Sequence, residues 1–191
     1  PPPTPLTPEE LTGSERLPDL KPDTDGIAAS NAELGVLSQA ATLPDDYEVA
    51  DAKAVLQAAL TLRNAAAHGN AMYAILEEGK QGAQQTLIRV AADGPPKALA
   101  VHRPQVGAIA LHAARLYWAE GGSLFHVDAN LGGVAKGITR FPRARITSIG
   151  VHGDVLIATL VPRDHDPFSS DPVGAVVSVA LEGKTVKVLA K

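Results

Sequence analysis

No cysteine occurs in the 191 residues. Disulfides, thiolate catalysis and cysteine-built zinc sites are therefore excluded. Aromatic residues are also scarce: one Trp, three Tyr and three Phe give thin material for a ligand surface built on stacked rings. No apolar run approaches the roughly 18–20 residues of a spanning helix. No basic run occurs either, and the formal net charge is −4 with a pI near 5.8. That balance argues against a nucleic-acid binder, which needs cations to neutralise phosphates. The densest basic group, Arg140, Arg143 and Arg145 around Phe141-Pro142, reads as a solvated loop. Phosphate-cradling glycine loops, H-E-x-x-H and G-x-S-x-G are all missing.

What the chain does have is enough apolar material to fold. Hydrophobic residues make up 45%, mostly Ala, Val and Leu, and the length suits one domain with an ordinary core. Seven prolines fall within residues 1–26. Proline fixes φ and removes a backbone donor, so this stretch is expected to be an extended arm or linker, lying along a partner or along its own domain. Residues 27–57 form an N-terminal segment of mixed signals. Ser30-Asn31-Ala32-Glu33 has the form of a capping box, which predicts a short helix over Ala32 to Ala41. Asp51 to Ala67 is alanine-rich and favours helix by propensity.

From residue 58 onward a repeat overrides that preference. Met72-Tyr73-Ala74-Ile75, Leu116-Tyr117-Trp118-Ala119 and Leu156-Ile157-Ala158-Thr159 are spaced 44 and 40 residues apart. Each is preceded by a histidine four residues earlier: His68, His112 and His152. Between histidine and strand lie Gly69-Asn70 and Gly153-Asp154 in two copies, residues that tolerate positive φ. A second strand ending on valine follows in each copy, at Leu87–Val90, Leu124–Val127 and Val176–Val179. A glycine turn then leads to Ala98–Ala100, Gly137–Thr139 and Val186–Leu189. By register, Leu60-Thr61-Leu62 matches Val106–Leu111 and Ile146–Val151 as a first strand. Four strands in about 40–45 residues is the period of a propeller blade. The expected domain is thus 58–191, in units 58–100, 101–142 and 143–191, with Pro104 and Pro142 at the joints.

Leu116-Tyr117-Trp118-Ala119-Glu120 resembles the YWTD-type repeat. The wider pattern Leu99-Ala100, Pro104, Ile109-Ala110, Leu116-Tyr117-Trp118, Val127, Gly132-Gly133 is similar to secreted propeller repeats frequent in myxobacteria. The resemblance is close in the middle unit and implies a fold and an interaction role, with no catalytic set. The expected fold is therefore mainly β: a β-propeller-like, partial propeller of three four-stranded blades, preceded by the proline-rich arm and a short helix. Three blades leave two apolar faces uncovered. The expected partner is a protein, or a second copy of the chain, that completes the ring. Alternatively, residues 27–57 cover the open face.

Two groups are candidates for chemistry. His68, His112 and His152 occupy equivalent turns; if converged, they make a Zn²⁺ site. The polar loop from Pro162 to Pro172 offers Arg163, Asp164, His165, Asp166 and Asp171 as a partner-binding surface. Its carboxylates suit Ca²⁺, though an EF-hand's glycine and terminal Glu are absent. His165 beside two carboxylates has the makings of a general base, but spacing fixes no nucleophile near it. Trp118 and Tyr117 alternate in a strand and are expected as core on opposite faces.

The function expected from this is a non-enzymatic interaction or scaffold subunit, with no cofactor, in an extracytoplasmic assembly of the cell envelope. The opening at Pro1 and the proline tract fit a processed product, with a removed signal or lipoprotein signal. A metal-dependent propeller lyase or hydrolase and a small-ligand or carbohydrate binder are the alternatives.

Overall fold

A computed structural model describes residues 4–12, 17–40, 61–78, 84–91, 94–164, 173–183 and 185–191. Three four-stranded antiparallel sheets follow one another along the chain. Sheet 1 holds β1 (Thr61–His68), β2 (Ala71–Glu78), β3 (Gln84–Ala91) and β4 (Lys97–Arg103). Sheet 2 holds β5 (Val106–His112), β6 (Arg115–Glu120), β7 (Ser123–Asp128) and β8 (Gly132–Arg140). Sheet 3 holds β9 (Ala144–His152), β10 (Val155–Pro162), β11 (Ala175–Ala180) and β12 (Val186–Ala190). Each is a meander in sequence order, and two-residue turns join β1 to β2, β5 to β6, β6 to β7 and β9 to β10, so those strands pair at once.

Alternation along the strands sends side chains to both faces, and both faces are apolar. Leu116, Trp118, Phe125 and Val127 pack with Tyr73, Ile75, Leu87 and Leu99 between sheets 1 and 2. Tyr117, Ala119, Leu124 and Ile138 pack with Leu156, Ala158, Leu160, Val177 and Val179 between sheets 2 and 3. Tyr117 and Trp118 thus enter opposite cores, as period-two alternation requires. The first strands lie together, with β5 against both β1 and β9. Among the described residues the sheets do not close into a ring.

The alanine-rich stretch is strand from Thr61, where β2 supplies a partner in register. Pairing and burial outweigh an intrinsic helix preference that is small per residue. Residues 51–60, with Leu60, lie outside the described residues. β4 runs to Arg103, three residues past the expected joint at 100/101, and Pro104 stands in the connection to β5.

The N-terminal part departs from expectation in two ways. The helix, α1, spans Thr24–Ala40 and begins eight residues before Ala32. Asp23 accepts from the Gly26 N–H at 2.9 Å, so the effective cap is Asp23 after Pro22, and Ser30 lies inside the helix. The Asp23 carboxyl is held below its ordinary range, first by that N–H and then by His102, whose Nδ1 is 2.9 Å away. Ile27 and Leu34, at helical spacing, bury against Ala74, Leu76, Ile88, Ala98 and Val101 on the rear face of sheet 1. The arm lies along its own domain. Leu20 and Ala135 of β8 exchange two backbone hydrogen bonds, 2.8 and 3.0 Å. Leu11, in a 3-10 turn (Glu9–Leu11), is fully buried in the core of sheets 2 and 3.

Candidate interaction surface

Each strand ends where its pairing ends, which puts His68, His112 and His152 at the last position of β1, β5 and β9. His68 and His152 are exposed and His112 is half-buried. They do not gather: among the described residues no three His, Asp or Glu side chains are grouped to hold a metal ion. Arg163 is tied back to β9, its N–H donating to Arg143 C=O at 3.0 Å and its Nε to Ala144 C=O at 3.4 Å. Asp164 is exposed beside it. His165, Asp166 and Asp171 lie outside the described residues.

The main polar cluster was not legible as a unit in the sequence. Glu120 accepts from Arg103 Nε at 2.6 Å, Arg103 Nη2 at 2.7 Å and Trp118 Nε1 at 2.7 Å. Its side chain is 9% exposed and that of Arg103 20%. The Arg103 guanidinium also stands 6.0 Å from the Phe125 ring centroid. Trp118 and Glu120, two apart in β6, share a face, and that alternation was the available signal. Arg103 escaped notice because it was assigned to the start of the next unit. Both Glu120 oxygens accept from neighbours in the fold, so the cluster ties sheet 1 to sheet 2.

Above it lies a cavity of about 40 Å³ edged by Lys21, Asp23, Arg103, Trp118 and Ala135. That holds a water molecule, not a substrate, since ligand sites run to several hundred Å³. His126 faces Tyr117, ring centroids 5.5 Å apart. Its pKa is pushed below the ordinary value, chiefly by burial and further by Arg115 and Lys136, with Asp19 acting the other way. Among the described residues the buried Tyr117 hydroxyl has no hydrogen-bond partner.

The surface that stands out is the forward face of sheet 3. The registers Tyr73↔Arg89↔Lys97, Tyr117↔His126↔Lys136 and Ile157↔Ser178↔Lys187 align the three sheets row by row. Tyr73 and Tyr117 are each buried under the following sheet. Ile157 takes their place in sheet 3, flanked by Val155, Thr159 and Val161 along β10 and Val176 and Ala180 on β11. All six are half-buried, and none belongs to the apolar cores between the sheets. The opposite end of the stack is covered by α1.

No family model matches the chain, and no curated protein matches it. Solved structures similar to parts of it include one from a study of two prolyl endopeptidases, at 17% identity and TM-score 0.47 over 64% of this chain and 18% of that one. A computationally designed protein, Ika8, aligns at 15% identity and TM-score 0.34 over 67% of this chain and 60% of that one. The C-terminal domain of gp131 from bacteriophage phiKZ aligns at 12% identity and TM-score 0.32, over 70% and 44% respectively. Likeness at this level carries no argument about function. No helix among the described residues is long and apolar enough to cross a membrane.

Proposed function

We propose that the chain is a non-enzymatic protein-interaction module, a partial propeller of three blades that docks through the forward face of sheet 3 into an assembly of the cell envelope. The observation that carries the reading is the third copy of a buried row. Where Tyr73 and Tyr117 are buried by the next sheet, Ile157 is half-buried and belongs to neither of those cores. An apolar sheet face that recurs as an interface twice in one chain is most economically read as an interface the third time. α1 occupies the rear face of sheet 1, where a preceding blade would sit. A second copy therefore has no free rear face to offer, and the favoured occupant is a sheet of a different protein. The proline-rich arm and the resemblance to secreted repeats support the extracytoplasmic setting.

The test is solution mass by light scattering across a concentration series, for the parent chain and for Ile157→Asp. An uncovered face should make the parent chain associate nonspecifically or bind a hydrophobic dye, and Ile157→Asp should reduce both. A monodisperse parent whose mass and dye binding match those of Ile157→Asp overturns the reading.

A further inference from the structure

The open edge of sheet 3 carries a second, separate signal. β4, β8 and β12 are the outer strands of their sheets, and each exposes one row of backbone donors and acceptors. In sheets 1 and 2 this row is met from within the chain. Asn31 Oδ1 of α1 accepts from the Ala98 N–H at 2.7 Å. On β8 the arm takes the place of a further strand: Leu20 pairs with Ala135, and Asp19 Oδ1 accepts from the Gly137 N–H at 3.4 Å.

Register makes Ala98, Gly137 and Val188 equivalent, and each follows a lysine. Lys97 donates to the Asn130 C=O at 3.3 Å, and Lys136 meets Asp19 Oδ2 at 2.6 Å. Lys187, the third of the set, is exposed and has no partner among the described residues. The Ala180 N–H donates to the Thr185 C=O at 2.9 Å. Alternation along an antiparallel strand then turns the N–H groups of Val186 and Val188 toward the open edge. Val188 and Leu189, 42% and 56% exposed, are among the few large apolar side chains left to solvent. From Val186 to Lys191 the sequence has two lysines and neither Asp nor Glu, although the net charge of the chain is −4.

We propose that β12 binds an extended segment of another polypeptide as a fifth strand of sheet 3, and that it reads an acidic residue followed by an apolar one. The acid bridges Lys187 Nζ and the Val188 N–H, as Asp19 bridges Lys136 and Gly137. The apolar residue pairs with Val186, as Leu20 pairs with Ala135. One difference sets a further requirement. A Cβ at Gly137 would lie 2.5 Å from the Leu17 Cβ and 2.7 Å from its C=O. Val188 has such a Cβ, and the Leu17 backbone itself stands in its way, so the bound segment turns away from the edge two positions before the acid, where the arm has Leu17. Lys187 lies in the row of Ile157, two strands away, so this site borders the stacking face, but edge binding stands even if nothing covers Ile157.

The probe is a peptide copying Pro18 to Pro22, fluorescein-labelled at its C-terminus, titrated against the full chain by anisotropy, with amide hydrogen exchange as the second readout. The expected result is saturable binding, with Val186 and Val188 amides slowed in exchange and Ala135 and Gly137 amides unchanged. Lys187→Glu weakens binding at least tenfold, and a peptide that carries Asp19→Lys regains affinity for that variant. Three results overturn the proposal: no saturable binding up to about millimolar peptide, affinity indifferent to Lys187→Glu, or protection confined to β8.

Discussion

Replacing Glu120 by alanine tests whether the cluster at the junction of sheets 1 and 2 is a structural clamp. The carboxylate is nearly buried and accepts three hydrogen bonds between 2.6 and 2.7 Å. Its removal leaves the Trp118 indole N–H without an acceptor in the core and the Arg103 guanidinium without its counter-charge. Breaking a buried pair by deleting one partner costs about 3–5 kcal/mol. Orphaning a buried donor costs about 1–3 kcal/mol. The two overlap, and Arg103 at 20% exposed recovers part of its hydration. A net loss of about 3 kcal/mol is therefore expected, or ~6–12 °C in Tm for a chain of this size. Glu120→Gln keeps the shape and one acceptor but turns an amide NH₂ toward the guanidinium, and about half the loss should remain. In the double variant Arg103→Leu/Glu120→Leu the loss should fall short of the sum of the single changes, because neither charge is left alone. The assay is thermal unfolding by circular dichroism, with urea titration for the cycle. A Tm for Glu120→Ala within about 2 °C of the parent, or strictly additive single changes, would refute the clamp.

Protonation of His126 gives a pH signature. Its folded pKa lies below the ordinary 6.5, so as pH falls through that value the unfolded chain takes up the proton first. Stability is thus fully present above about pH 6.5 and declines toward the folded pKa. His126→Phe should flatten that part of the stability–pH curve, measured by urea unfolding between pH 7.5 and 5, and an unchanged slope would remove His126 as its source. The β5–β6 turn predicts the opposite kind of change. Ala113 and Ala114 both sit in the left-handed region, at φ 44° and 59°, where the other two sheets have Gly69-Asn70 and Gly153-Asp154. Ala113→Asn with Ala114→Gly should stabilise by about 1 kcal/mol, seen as a rise in Tm, since the pair relieves steric cost that alanine bears there. A fall in Tm would show that the alanine methyls pack usefully.

Much of the β part was legible because its signals are local and repeated. Strand alternation, two-residue turns and a glycine after each third strand recur in three copies, and β2, β6 and β10 lie where the repeat put them. The repeat also settled the alanine-rich stretch from Thr61 in favour of strand. The N-terminal part was less legible. Two capping signals compete within ten residues, and Asp23 prevails over Ser30 because the longer helix buries both Ile27 and Leu34 on sheet 1. That contact is not written near either residue in the chain.

The sequence by itself determined the unit: four strands, their turns and the alternation that makes both faces of each sheet apolar. Those features depend on alternation along a strand and on strand partners within about 25 residues, such as Val155 and Ala180, so composition and spacing carry them. Tertiary structure alone decided which faces and edges are closed. α1 covers the rear of sheet 1, the arm closes the edge of β8, and Glu120 draws Arg103 and Trp118 into one cluster. These depend on residues 17 to 117 positions apart meeting in space. Among the described residues, those closures leave the half-buried row at Ile157 and the Lys187 edge of β12 without such a cover.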